Sequence, residues 1–139
     1  MKFLYVILAI MLLNLAACDL EQELDDAIID ISGTVSNAGS AVSGVIVLLV
    51  EDVQVSEGLN LANGSITTSN GQYLILDVDP GVYYVLAVDD SDGNLEFDPA
   101  IDRLGFHGVD PDNMDLIPDQ ITVLDNDIED IDIDSLYSL

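Results

Sequence analysis

The chain has 139 residues, half of them apolar, and sets 27 Asp and Glu against two Lys and Arg, for a formal charge of −25. That balance excludes nucleic acid as a partner, because phosphate binding needs clustered Lys and Arg, and it disfavours adsorption to anionic lipid headgroups. The wealth of Val, Ile and Leu excludes wholesale disorder, since disordered acidic chains lack the apolar surface to build a core.

The first 17 residues have the layout of a secretory signal: Lys2, an uncharged apolar run over 3–13, then small residues before the single Cys. The run is shorter than the roughly 20 apolar residues of a membrane-spanning helix. Leu15-Ala16-Ala17-Cys18 resembles the lipobox of bacterial lipoproteins. The resemblance implies cleavage before Cys18, lipid on Cys18, and a lipid-anchored, extracytoplasmic place in the bacterial cell envelope. Stable anchoring takes about two acyl chains, so such a Cys holds a domain at a membrane without a transmembrane helix. Asp19 follows directly. In some bacteria an Asp there resembles an inner-membrane retention signal, and in others acidic residues there resemble a surface-export signal, so the leaflet stays open.

Removing 17 of the 139 residues leaves 122, enough for one domain with a single core. Lys2 leaves with the leader, which takes the charge from −25 to −26. With no second Cys there is no internal disulfide to staple that core. A chain this acidic repels itself unless cations screen it, which fits a calcium-containing medium or a saline one.

Residues 18–26 read as an acidic tether and 27–139 as the folded domain. Ile29, Ile31, Gly33 and Val35 alternate with Asp30, Ser32 and Thr34, the period of a half-buried strand. A turn follows over 37–40. The run 45–50 (VIVLLV) is short, continuous and β-branched, as in a central buried strand. A long loop covers 51–63. Asn63-Gly64 and Asn70-Gly71 are hairpin signals, and the second lies between 66–68 and 72–78, which predicts a hairpin. Asp79-Pro80-Gly81 is a turn, and 82–88 (VYYVLAV) reads as the best strand in the chain. Strands over 121–124 and 128–133 close the set. No stretch of the domain sustains a helical period. About seven short strands with frequent turns predict an all-β fold, a single β-sandwich.

The segments Ile31-Ser32-Gly33-Thr34-Val35, Val42-Ser43-Gly44-Val45-Ile46-Val47, Thr67-Thr68-Ser69-Asn70-Gly71-Gln72-Tyr73 and Asp79-Pro80-Gly81-Val82-Tyr83-Tyr84 follow a familiar order. Together they resemble the carboxypeptidase regulatory-like domain. The resemblance covers about 29–88, and the loop over 51–63 departs from the tighter members. It implies a transthyretin-like, Greek-key sandwich and a non-catalytic accessory or interaction module.

One constellation carries chemistry. In the acidic loop 89–102, oxygen-bearing side chains fall at alternate positions: Asp90, Asp92, Asn94, Glu96 and Asp98, with Asp102 close behind. The spacing resembles the opening of a calcium loop, whose ligands come from positions 1, 3, 5, 7 and 9. Glu96 would offer its backbone carbonyl, as position 7 does in such loops. Leu95 stands where such a loop has Gly, and Ile101 stands at the closing position, so Asp102 would reach in from one residue further on. A solvated acidic turn is the plain alternative. The expected cofactor is calcium, bound weakly as in extracellular modules.

Other candidates carry less. Asp110, Asp112 and Asp115 offer a second loop site. Asp130, Asp132 and Asp134 alternate with Ile131 and Ile133, which reads as a solvated face opposite a buried one. His107 is the only His, and no second His or Cys is at hand for zinc. Ser40 and Ser43 lie in GSAVSG, which lacks the G-x-S-x-G elbow. Tyr73, Tyr83 and Tyr84 should split between core and surface. The expected function is a non-catalytic, lipid-anchored binding or structural module. Its expected partners are the membrane, through the lipid on Cys18, and a protein or glycan. A spacer in an envelope assembly and an envelope polysaccharide hydrolase are the alternatives, the latter opposed by the missing nucleophile–base pair.

Overall fold

The computed structural model describes residues 28–53 and 63–139. The leader, Cys18, the tether and most of the 51–63 loop lie outside the described residues. Nine strands are present among those described, where the sequence predicts about seven: β1 (Ile31–Thr34), β2 (Ser36–Asn37), β3 (Ser40–Ala41), β4 (Ile46–Val50), β5 (Gly64–Ile66), β6 (Gln72–Ile75), β7 (Gly81–Asp89), β8 (Arg103–Phe106) and β9 (Gln120–Val123). The strand ladders are antiparallel throughout, and a 3-10 turn, Pro111–Asn113, lies between β8 and β9. The fold is all-β.

β7 organises the larger sheet. Five of its nine residues, Tyr84 to Val88, pair with β4 along one edge. On the other edge the first half pairs with β9 and the second half with β8. β4 lies between β7 and β5, so the apolar run over 45–50 is central and buried as its sequence predicts. Successive β7 residues alternate between two cores, because side chains on a strand point to opposite faces. Val85 and Ala87 join Val45 and Val47 from β4, Ile31 from β1, and Tyr73 and Ile75 from β6 in the main core. Leu86 and Val88 join Leu104, Phe106 and Val109 in a second cluster on the far face. Tyr83 packs on the first cluster and Tyr84 on the second.

β1 pairs with β6 in a separate ladder. This corrects the expected hairpin over 66–68 and 72–78. The Asn70-Gly71 turn forms, with Gly71 at φ 75° and its amide donating to the Thr68 carbonyl at 2.9 Å. Its two arms then separate: β5 joins β4 and β6 joins β1. The main core lies between the two ladders, and splitting the arms lets one turn serve both.

The segment after β9 differs from its expected strand as well. Over 128–137 it forms only isolated bridges, parallel to β1 at Ile31–Ile128, parallel just beyond β1 at Val35–Ile133, and antiparallel to β8 at Leu104–Tyr137. It is a strap that sews the two sheets together. The alternation read from its sequence holds: Ile131 and Ile133 are buried, while Asp130 and Asp134 are exposed. Buried Tyr73 donates its hydroxyl to the Ile131 carbonyl. Burial, helped by the nearby Asp132 charge, pushes that phenol well above its usual range. Gly33 and Gly105 lie directly under the strap, against the carbonyls of Ile131 and Ser135.

Candidate metal centre

The loop between β7 and β8 is fixed at both ends by the strands it joins. Asp89 and Arg103 are partners in the register, and the Arg103 Nη2 donates to Asp89 Oδ2 at 2.6 Å. Both groups are partly exposed, so the pair contributes at most about 1 kcal/mol. It does commit the one Lys or Arg among the described residues.

Inside that closure sits Asp102, with no exposed surface. Its Oδ1 accepts from the Ser91 amide and its Oδ2 from the Asp98 amide, both at 2.8 Å. One side chain therefore ties the outgoing limb of the loop to the returning limb. The Ser91 hydroxyl adds a bond to the Ile101 carbonyl. Ser91 was not singled out from the sequence, because a Ser between two acids carries no distinctive signal.

Asp90 shapes the tip. Its Oδ1 accepts from the Gly93 and Asn94 amides at 2.9 and 3.3 Å, and its Oδ2 from the Leu95 amide at 2.9 Å. The Leu95 bond above all, with those from Gly93 and Asn94, holds this carboxyl below its ordinary range against the opposing effect of desolvation. Turning three amides inward demands left-handed backbone at Gly93 (φ 72°) and at Leu95 (φ 62°). Leu95 therefore adopts the conformation that the Gly of a calcium loop adopts, at a cost of roughly 1–2 kcal/mol for a residue with a Cβ. Leu95 is also largely exposed, so its side chain returns little. Leu95→Gly is expected to raise the melting temperature by a few degrees, a gain of about 1 kcal/mol. A fall on calorimetry would show that the loop does not hold this turn.

The remaining oxygens divide. Asp92 Oδ2 accepts from the Asn94 side-chain amide at 3.0 Å. The Asn94 Oδ1 accepts from the Glu96 amide at 2.6 Å. The Asp98 carboxylate accepts from the Ala100 amide at 2.9 Å, and its carbonyl takes the Ile101 and Asp102 amides. Phe97, between Glu96 and Asp98, packs onto the second apolar cluster.

One carboxylate oxygen each from Asp90, Asp92 and Asp102 lies within 4.8 Å of the others. The carboxylates of Glu96 and Asp98 are not in that group. Oxygens that bind one calcium ion at 2.3–2.6 Å sit up to about 5 Å apart across it. The spacing is therefore that of a site able to hold a metal ion.

The other sequence candidates do not converge in this way among the described residues. Asp110 caps the 3-10 turn, accepting from the Asp112 and Asn113 amides, and the Asn113 side-chain amide, its largest influence, holds its carboxyl low. Asp115 closes the same loop by backbone bonds to Asp110. His107, just after β8, lies against the strap, its Nδ1 at 2.7 Å from the Asp132 carbonyl. A carbonyl only accepts, so Nδ1 carries the proton. Ser40 and Ser43 are exposed, on and just after β3. No family model matches this chain, and no curated protein is detectably similar to it.

Proposed function

We propose that this protein is a lipid-anchored, extracytoplasmic binding or structural module, non-catalytic, whose β7–β8 loop is stabilised by calcium. The observation that carries the reading is the convergence of Asp90, Asp92 and buried Asp102. Three carboxylates gathered at one point repel one another, and the one described Arg is already held by Asp89. A hard dication relieves that repulsion and uses the carboxylate lone pairs left over from the amide bonds. Asn94 and Asp98 lie in the same loop to complete an oxygen shell, with the Glu96 carbonyl at the position that supplies one in related loops. The β-rich architecture and the order of its turn motifs support a transthyretin-like sandwich of the carboxypeptidase regulatory-like kind. The Leu-Ala-Ala-Cys18 sequence supports the anchor, and a place as spacer in an envelope assembly is the nearest variant of the same reading.

Two measurements test it. At a calcium concentration about a hundredfold above the dissociation constant, binding to the native state alone stabilises by about 2.7 kcal/mol. Calcium should therefore raise the melting temperature by several degrees beyond sodium at matched ionic strength. Asp90→Asn with Asp92→Asn should remove that excess and leave the sodium effect. Equal shifts from the two ions would reduce the loop to a solvated acidic turn. For the anchor, Cys18→Ser should move the protein from the membrane fraction to the soluble one. A variant that still pellets with membranes would refute lipidation.

A further inference from the structure

The strap over 128–137 is held and opposed by different forces. Holding it are backbone bonds: the Ile128, Ile131 and Ile133 amides donate to the carbonyls of Asp30, Ser32 and Thr34, and Tyr137 exchanges a pair with Leu104. The Thr34 amide and hydroxyl both donate to Asp132 Oδ1, at 2.8 and 2.7 Å. Ile131, Ile133 and Leu136 fill the main core. Opposing it is charge. The strap and its approach carry Asp125, Asp127, Glu129, Asp130, Asp132 and Asp134 and no Lys or Arg.

Those acids dock onto a body of the same sign. A cleft of about 480 Å³ is lined by Asp132 and Asp134 from the strap and by Asp110 and Asp112 from the loop after β8. His107 also lines it, bonded to the Asp132 carbonyl. Ahead of the strap, the Asp127 carboxylate accepts the Asp30 amide at 2.9 Å. Backbone bonds and apolar burial change little with simple salt at moderate concentration. Repulsion between exposed charges changes greatly, because the screening length falls from about 30 Å at 0.01 M to about 3 Å at 1 M ionic strength.

We infer that the strap is an ionic-strength-gated closure of the fold, opening ahead of the central β4–β7 ladder in dilute salt and locking onto β1 and β8 in concentrated salt. When open it bares the edge of β1 and the strap-facing side of the main core. The strap carries none of the three converging carboxylates of the β7–β8 loop.

Hydrogen exchange read by NMR or mass spectrometry on the protein tests this. The Ile128, Ile131, Ile133 and Tyr137 amides report the strap, and the β4–β7 ladder amides report global opening. In about 10 mM NaCl the strap amides should exchange at least about tenfold faster than the ladder, and that gap should close near 1 M NaCl. The double variant Asp112→Asn, Asp134→Asn removes one charge from the loop after β8 and one from the strap while keeping an acceptor for the Ser36 hydroxyl at 134. It should narrow the gap in dilute salt. Strap and ladder exchanging together at every salt concentration would overturn the inference. So would a gap that neither salt nor the double variant changes.

Discussion

Alanine at Gly33 or at Gly105 is expected to be the most damaging single-methyl change in this protein. A Cβ on Gly33 would stand 2.1 Å from the Ile131 carbonyl oxygen and 2.6 Å from its carbon. A Cβ on Gly105 would stand 2.1 Å from the Ser135 carbonyl oxygen and about as close as contact allows to Ile133 and Leu136. Both obstacles are backbone, which cannot rotate aside as a flexible side chain can. The strap must lift, and lifting it uncovers Ile131, Ile133 and Leu136. Overpacking of this kind costs about 3 kcal/mol or more, and for a domain of this size the melting temperature should fall by roughly 10 °C or more. Gly39→Ala is the control. Gly39 has positive φ, 76°, but open space around its Cβ position, so it meets only the roughly 1–2 kcal/mol conformational cost. If Gly105→Ala melts no lower than Gly39→Ala, the strap does not lie where the structure puts it.

These glycines mark a limit on what the sequence discloses. Alternation of Ile29, Ile31, Gly33 and Val35 with polar residues reads as a strand, and β1 occupies 31–34. The same alternation cannot say that Gly33 lacks a side chain because the strap crosses there. That reason comes from residues almost a hundred positions away. Long apolar runs are legible for the same reason that local patterns are: within 45–50 and 82–88 the stretches 45–48 and 85–88 are buried on both faces, so each run needs no partner to be recognised. β8 was missed. Arg103–Phe106 (RLGF) has a charge at one end and a Gly inside, and only pairing with β7 makes it a strand. The hairpin differs for another reason. Its turn chemistry was read, but no local signal says that the two arms part to join different ladders.

The candidate site was legible to a similar depth. Alternate oxygens over 90–98 predict a loop that curls around a point, and the amides gathered by Asp90 produce that curl. Spacing alone ranked Asp102 last, as a residue one step too far along. Burial reverses the ranking. Asp102 is the innermost carboxylate of the group, because β8 begins at the next residue and draws it beneath the loop.

Asp102→Ala should therefore have two separable effects. The first is structural. The Ser91 and Asp98 amides lose their acceptor, and each donor left unpaired away from water costs about 1–3 kcal/mol. Part of that loss is offset, because removing Asp102 also removes one of three carboxylates held within 4.8 Å. Repulsion between unit charges at such a distance reaches a few kcal/mol near a protein surface before salt screens it. In chelator the net destabilisation should then be modest, about 1–3 kcal/mol. In calcium the variant also forfeits a ligand, and with it the roughly 2.7 kcal/mol of linkage at a hundredfold excess over Kd, which already contains the ion's relief of that repulsion. The loss in calcium should be about 4–6 kcal/mol, among the largest for any single substitution in this domain. Asp102→Asn keeps one acceptor oxygen, so in chelator it should lie close to the parent protein, while in calcium it should behave more like the alanine variant. The measurement is the melting temperature of each variant against the parent in calcium and in chelator at matched ionic strength. A deficit of the same size in both media would make Asp102 a structural tie alone, and the metal reading of the loop would fall with it.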